Sequence, residues 1–142
     1  MNQLTLRLKT HGQDEPTDYL VVEVSIDGNV LTNFDTYATD LPALIQSSER
    51  AGDYFILTCW CGTAACAGIR QGIQIRHEHG NIFWQVVEPA PKQRFVFSRT
   101  AYKQAIQDCI KQGKRSITYR RSSNDKPFEI TPAQNEALFA LD

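Results

Sequence analysis

The chain has 142 residues, of which 42% are hydrophobic and 22% charged, and its net charge is −1. This composition is that of an ordinary globular protein and excludes a wholly disordered chain, and the length predicts one domain spanning residues 1–142. The longest apolar run, at residues 54–57, is far shorter than the roughly 20 residues that cross a bilayer, and the N-terminus lacks a secretory signal, so we expect a cytoplasmic protein without a membrane span.

The first half of the chain predicts strands followed by one helix. Alternating apolar residues predict strands over residues 4–9 and 19–26, and the turn residues 27–29 lead into a short strand over 30–34. Capping residues Thr39 and Asp40, with Pro42 in the first turn, predict a helix over 41–51. A strand over 54–60 then runs into a cluster of cysteines.

The second half predicts a hairpin, a strong helix and a short final helix. Strands over 68–78 and 82–87 are expected to turn at Gly80-Asn81, which places His77 opposite Trp84. A strand over 94–97 precedes a helix from Ser98 to Gly113, followed by a strand over 115–121 and a last helix begun by a capping box at Thr131. The order predicts an α+β fold, mostly an antiparallel sheet of about six to seven strands with two to three helices.

Three cysteines, Cys59, Cys61 and Cys66, lie within eight residues after a predicted strand. Strand alternation would place Cys59 and Cys61 on one face, with Cα atoms ~6.6 Å apart, and the small residues that follow let Cys66 return toward them. Tetrahedral structural zinc needs four ligands, and His77, or alternatively His79, is the candidate for the fourth. The same turn is also explained by cysteines that pack as hydrophobes, by a redox pair or by a catalytic thiol.

The fourth cysteine, Cys109, has a different predicted role. It falls on the apolar face of its helix, in register with Ala105, Ile106 and Ile110. Residues in such a position pack in the core, so we expect Cys109 to be buried and to take no part in ligand binding.

The segment FILTCWCGTAACAGI, with the later Trp84 strand and FVFSRTAYKQAI, resembles a group of small uncharacterised bacterial proteins. The shared pattern is an apolar strand, CxCGxxxC followed by AGI, a Trp-bearing strand, and Phe-x-Phe before a helix containing Tyr. The resemblance covers approximately residues 55–110 and implies a bacterial or phage origin. It implies no activity and no catalytic residues.

Charge is divided between the two halves of the chain. Through Gly68 there are nine acids and three bases, whereas from Ile69 onward there are twelve bases and seven acids. Such a split is typical of a surface that binds a charged partner, and also of two halves of one domain that attract each other. The two halves would also complement each other between copies of the chain, as in a homodimer.

The absence of a convincing catalytic set favours a non-enzymatic interaction protein of the immunity or regulatory type, with a cysteine turn that holds zinc. A basic protein partner would meet the acidic residues Asp14, Glu15, Asp18, Asp35 and Asp40. One alternative is nucleic-acid binding through the basic segment 92–126, with contacts from Arg94, Arg99, Lys103, Lys114, Arg115, Arg120 and Arg121. The other is a zinc- or thiol-dependent enzyme built on the three cysteines and a histidine.

Overall fold

The computed structural model describes residues 1–11, 18–123 and 128–139. Within these residues the helices are α1 (Leu41–Glu49), α2 (Arg99–Ser123) and α3 (Pro132–Phe139). The strands are β1 (Leu4–His11), β2 (Asp18–Ile26), β3 (Asn29–Val30), β4 (Ala38–Thr39), β5 (Gly52–Tyr54), β6 (Leu57–Thr58), β7 (Ile73–Glu78), β8 (Asn81–Val86), β9 (Gln93–Ser98) and β10 (Phe128–Ile130). The predicted α+β class is confirmed, with more and shorter strands than expected.

The strands form two four-stranded sheets and one small pair. In the first sheet β1 pairs antiparallel with β2, β10 joins the other edge of β2 in parallel, and β3 continues the hairpin. The second sheet is antiparallel in the order β5-β7-β8-β9, while β4 pairs with β6. A bridge between Asn2 and Phe97 connects the two larger sheets. Their alternating apolar residues share one hydrophobic core with the helices.

An aromatic cluster joins the second sheet to the helices. Trp84 of β8 packs edge-on against Phe97, at 5.2 Å between ring centroids, and against Tyr102 of α2, at 6.2 Å. The Tyr102 hydroxyl accepts a hydrogen bond from Trp84 Nε1 at 3.2 Å and lies 2.6 Å from Ser47 Oγ of α1. Burial of this hydroxyl raises the pKa of Tyr102 well above its usual value. The network therefore fixes α1, α2 and β8 to one another through satisfied buried polar groups.

The hairpin between β7 and β8 turns one residue earlier than predicted. His79 and Gly80, with φ of 51° and 77°, form the turn, so His77 lies opposite Ile82 and Ile75 lies opposite Trp84. The prediction of Gly80-Asn81 as the turn was wrong because His79 adopts the left-handed conformation that such two-residue loops require. The register moves by two residues, so the predicted inward face is unchanged.

Helix α2 continues through Gly113, and the strand predicted over 115–121 is therefore wrong. A Cβ at Gly113 would overlap Leu138 Cδ2 of α3 and lie 3.2 Å from Leu8 Cδ1 of β1. The glycine lets α3 and β1 approach α2 closely, and it does not end the helix. The predicted strand over 54–60 is divided into β5 and β6, and the one over 30–34 is reduced to β3.

Candidate metal centre and neighbouring surfaces

The first two cysteines lie in a turn that follows β6. Gly62 N–H donates to the Cys59 carbonyl at 2.9 Å, and Cys59 N–H donates to the Thr63 carbonyl at 3.3 Å. Gly62 has φ of 89°, a conformation that favours glycine. The Cα atoms of Cys59 and Cys61 are 5.4 Å apart, so the predicted strand geometry was wrong and a turn brings these residues together.

The third cysteine returns toward the first two on a 3₁₀ turn, Ala65–Ala67. Gly68 follows in the left-handed conformation with φ of 81°, and Ile69 N–H donates to the Ala64 carbonyl at 3.0 Å. Ile69 is buried in the core and anchors the end of the segment. The expectation that the small residues let Cys66 return toward the other two cysteines is confirmed.

The three sulfur atoms lie within 4.8 Å of one another. Cys61 N–H donates to Cys59 Sγ at 3.3 Å. In this structure Cys59 and Cys61 form a disulfide and Cys66 is a free thiol. Since Cys61 and Cys66 are exposed, the interpretation in which the cluster packs as buried hydrophobes is wrong. For Cys109, which is 1% exposed, core packing is confirmed.

Neither candidate histidine joins the cysteines. His77, on β7, is half-buried, and its Nε2 lies 2.8 Å from the Ser47 carbonyl of α1. His79 is exposed in the hairpin turn. Among residues 1–11, 18–123 and 128–139, the three cysteines form a group of possible metal ligands that includes no histidine or carboxylate. The expected fourth ligand is therefore not brought to the site by this chain's His77 or His79.

The cluster has two mutually exclusive chemical states. As thiolates, three sulfurs at this separation can hold a metal ion of the zinc type, which prefers cysteine ligands. As a disulfide, Cys59 and Cys61 have no thiolate to offer. Three protein ligands also leave one position of a tetrahedral ion open to water or to a group from another molecule.

A surface with aromatic and acidic residues adjoins the cysteine turn. The Trp60 ring, between two of the cysteines, packs edge-on against Tyr19 at 5.7 Å. Trp60 also lines a small depression of about 50 Å³ together with Asp35, Tyr37 and Glu23. Trp60 is not among the predicted site residues, and its signal in the sequence is its place between Cys59 and Cys61.

The acidic residues predicted to bind a partner differ in exposure and in their hydrogen bonds. Asp35 is exposed beside Trp60, whereas Asp40 is the N-cap of α1 and accepts a hydrogen bond from Ala43 N–H at 3.0 Å. Asp18 begins β2, and its side chain is outside the described part. Asp14 and Glu15 also lie outside the described residues. Asp35 is thus the predicted acidic residue that the structure places at this surface.

The predicted basic segment is distributed over two elements. Arg94 is exposed on β9, and the others belong to α2, where Lys103 Nζ lies 3.3 Å from Glu49 Oε1 and Arg99 is the first residue. Lys114 and Arg115 are exposed on adjoining positions of the helix. Arg120 and Arg121 are in the last turns of α2, but their side chains lie outside the described part.

Comparisons of the chain with protein-family models, with curated proteins and with solved structures find no match. In the described part of the chain, every helix is too short or too polar to cross a membrane.

Proposed function

We propose that this protein is a non-enzymatic interaction protein in which Cys59, Cys61 and Cys66 hold a structural zinc ion beneath a partner-binding surface, with water or a group from another molecule as the fourth ligand. The observation that carries the proposal is the position of the three sulfurs, within 4.8 Å of one another on a turn whose Trp60 is part of the neighbouring surface. Binding of zinc and presentation of Trp60 would then depend on the same backbone.

The local geometry supports a metal site more than a packed turn. Two of the cysteines are exposed, and exposed thiols gain no burial energy from their clustering. The N–H of Cys61, directed at Cys59 Sγ, would stabilise a negatively charged thiolate more than a neutral thiol. Gly62 packs against α3, since a Cβ there would meet Pro132 Cβ at 3.2 Å. The contact with α3 therefore restricts the turn before a metal binds, which reduces the conformational entropy lost on metal binding.

The neighbouring surface supports recognition of a basic protein. Trp60 and Tyr19 offer aromatic area of the kind that dominates binding energy at interfaces. Asp35 is exposed in the same region, and Glu23 already pairs with Lys9 at 2.5 Å. Acidic groups at the rim of an aromatic surface accelerate association with a basic partner. A zinc ion would fix the backbone on both sides of Trp60 and so prepare this side chain for binding.

Metal analysis of protein purified under reducing conditions tests the zinc site. We expect about one equivalent of zinc per chain in the wild type, and its loss in Cys61→Ser and Cys66→Ser. Cys109→Ala is the matched control, because it removes a buried cysteine outside the cluster. A reduced wild type that takes up no zinc, and whose melting temperature is unchanged by added zinc, would contradict the metal site.

Affinity purification from the cells of origin tests the interaction separately. A stoichiometric basic partner should be retained by the wild type and by Asp108→Asn, and lost by Trp60→Ala and Asp35→Lys. Asp108 is a suitable control because it is an exposed acid on α2, away from the depression lined by Trp60. Purification of the chain without a stoichiometric partner would count against the interaction role, whatever the zinc content.

A further inference from the structure

A row of side chains on the second half of α2 forms an exposed basic surface. Residues 111, 114, 115, 118 and 119 follow the spacing i, i+3, i+4, i+7 and i+8, which places them on one side of a helix. We call this set the α2 stripe, and it consists of Lys111, Lys114, Arg115, Thr118 and Tyr119. All five side chains are exposed. The stripe exists only because α2 continues past Gly113.

The charge of this helix is strongly unbalanced. Helix α2 contains seven bases and one acid, Asp108, whose carboxylate accepts a hydrogen bond from Gln104. In the described part of the chain, the ion pair that involves α2 is the one between Lys103 and Glu49. The three cations of the stripe therefore repel one another at helical spacing without a described carboxylate to offset the repulsion. An anion bound along the stripe would relieve this repulsion.

The helix dipole does not explain these cations. Bases stabilise a helix C-terminus, but the effect is limited to about the last turn. Helix α2 ends at Ser123, so Lys111 and Lys114 lie roughly two or more turns before its end. Arg120 and Arg121 suit the dipole, whereas the stripe calls for another explanation.

The stripe also borders a shallow depression of about 450 Å³ that is open to solvent. The five residues of the stripe line it with mostly apolar surface, and Tyr119 is 61% exposed. An apolar floor next to an exposed ring, with cationic groups around it, matches a nucleobase linked to phosphates.

We propose that the α2 stripe binds single-stranded nucleic acid, with Lys111, Lys114 and Arg115 on phosphates and Tyr119 stacked on a base. A single strand fits better than a duplex because the faces of its bases are free to stack on an exposed tyrosine. An acidic peptide would satisfy the cations but would offer the ring a flat partner only where it carried an aromatic residue, whereas every nucleotide of a single strand carries a base. The α2 stripe shares no residue with the cysteine turn, so a failure of the zinc proposal would not affect this one.

Fluorescence anisotropy with a labelled 20-nucleotide single-stranded DNA of mixed sequence tests the proposal. Three phosphate contacts predict a slope of about −2 for log K against log salt, so affinity should fall about 20-fold between 50 and 200 mM salt. Lys114→Glu combined with Arg115→Glu should remove most of the binding and bring the slope to about −0.7 or less in magnitude. Tyr119→Ala should weaken binding roughly 5- to 100-fold with the slope unchanged.

Lys92→Glu is the matched control, since it reverses an exposed charge outside α2 and should leave affinity unchanged within error. Thermal melts verify that each variant is folded. Absence of binding at 50 mM salt, or equal weakening by Lys92→Glu, would overturn the proposal. Equal affinity for duplex DNA with no effect of Tyr119→Ala would overturn stacking on a single strand. A wild-type dimer that dissociates in the Lys114→Glu, Arg115→Glu variant would instead assign the stripe to a second copy of the chain.

Discussion

The buried hydroxyl of Tyr102 offers a direct test of how the helices are fixed to the second sheet. Tyr102→Phe removes the acceptor of Trp84 Nε1, while Ser47 Oγ keeps its bond to the Leu44 carbonyl at 2.6 Å. Trp84 is only 2% exposed, so its N–H finds no water in place of the hydroxyl. An unsatisfied buried donor costs about 1–3 kcal/mol. For a chain of this length, that loss lowers the melting temperature by roughly 3–10 °C.

Urea titration followed by tryptophan fluorescence measures this change in the free energy of unfolding. Tyr119→Phe is the control, because the same atom is removed from an exposed ring and the change should remain within about 0.5 kcal/mol. If Tyr102→Phe proves as stable as the wild type, the hydrogen bonds of Tyr102 make no net contribution and the reasoning is refuted. In a double-mutant cycle, Ser47→Ala and Tyr102→Phe should also be non-additive, since their oxygens lie 2.6 Å apart.

Three further predictions concern a backbone contact and the chemistry of the cysteines. Gly72→Ala should destabilise the protein by about 1–3 kcal/mol, because the new Cβ would lie 2.9 Å from the Tyr54 carbonyl oxygen; a stabilised variant in urea titration would contradict this close approach. In metal-free protein that carries the Cys59–Cys61 disulfide, a thiol reagent should label exposed Cys66 rapidly and buried Cys109 only on unfolding, and equal rates would contradict the assigned burial. Burial raises the pKa of Cys109 from 9.0 to about 12. The stabilisation from its buried neutral thiol is therefore complete below pH 9 and is lost as the pH rises toward 12. Between these pH values, the free energy of unfolding should fall more steeply for the wild type than for Cys109→Ala.

Much of the fold was predictable because local patterns and the tertiary structure agree. The alternating residues of β1 and β2 face one core, and the capping residues before α1 begin that helix where expected. Asp40 accepts from Ala43 N–H, as its N-cap position predicts. The inward face of the β7–β8 hairpin was also correct, since a shift of two residues leaves alternation unchanged.

The predictions from sequence were incomplete or wrong where a residue contacts another that is distant in sequence. Gly113 is typical of a helix end in sequence, yet it allows Leu138 and Leu8 to approach α2. The predicted pairing of Thr131 with Gln134 at the start of α3 is confirmed, since their side chains lie 2.5 Å apart, but Gln134 is also fully buried and, with its amide oriented to satisfy its neighbours, bonds the Leu20 carbonyl and Val22 N–H of β2. Such contacts involve residues 25 to 114 positions apart and leave no local periodic signal.

The sequence by itself determined the α+β class, the inward faces of the main strands, the burial of Cys109 and the grouping of Cys59, Cys61 and Cys66, because these follow from periodicity and short spacing. Only the tertiary structure decided that His77 contacts Ser47 while the cysteines meet without it. It also decided that the basic segment continues as a helix and presents one charged stripe. Contacts distant in sequence depend on how whole elements pack, since burial of the shared core outweighs the preference of a single residue such as Gly113.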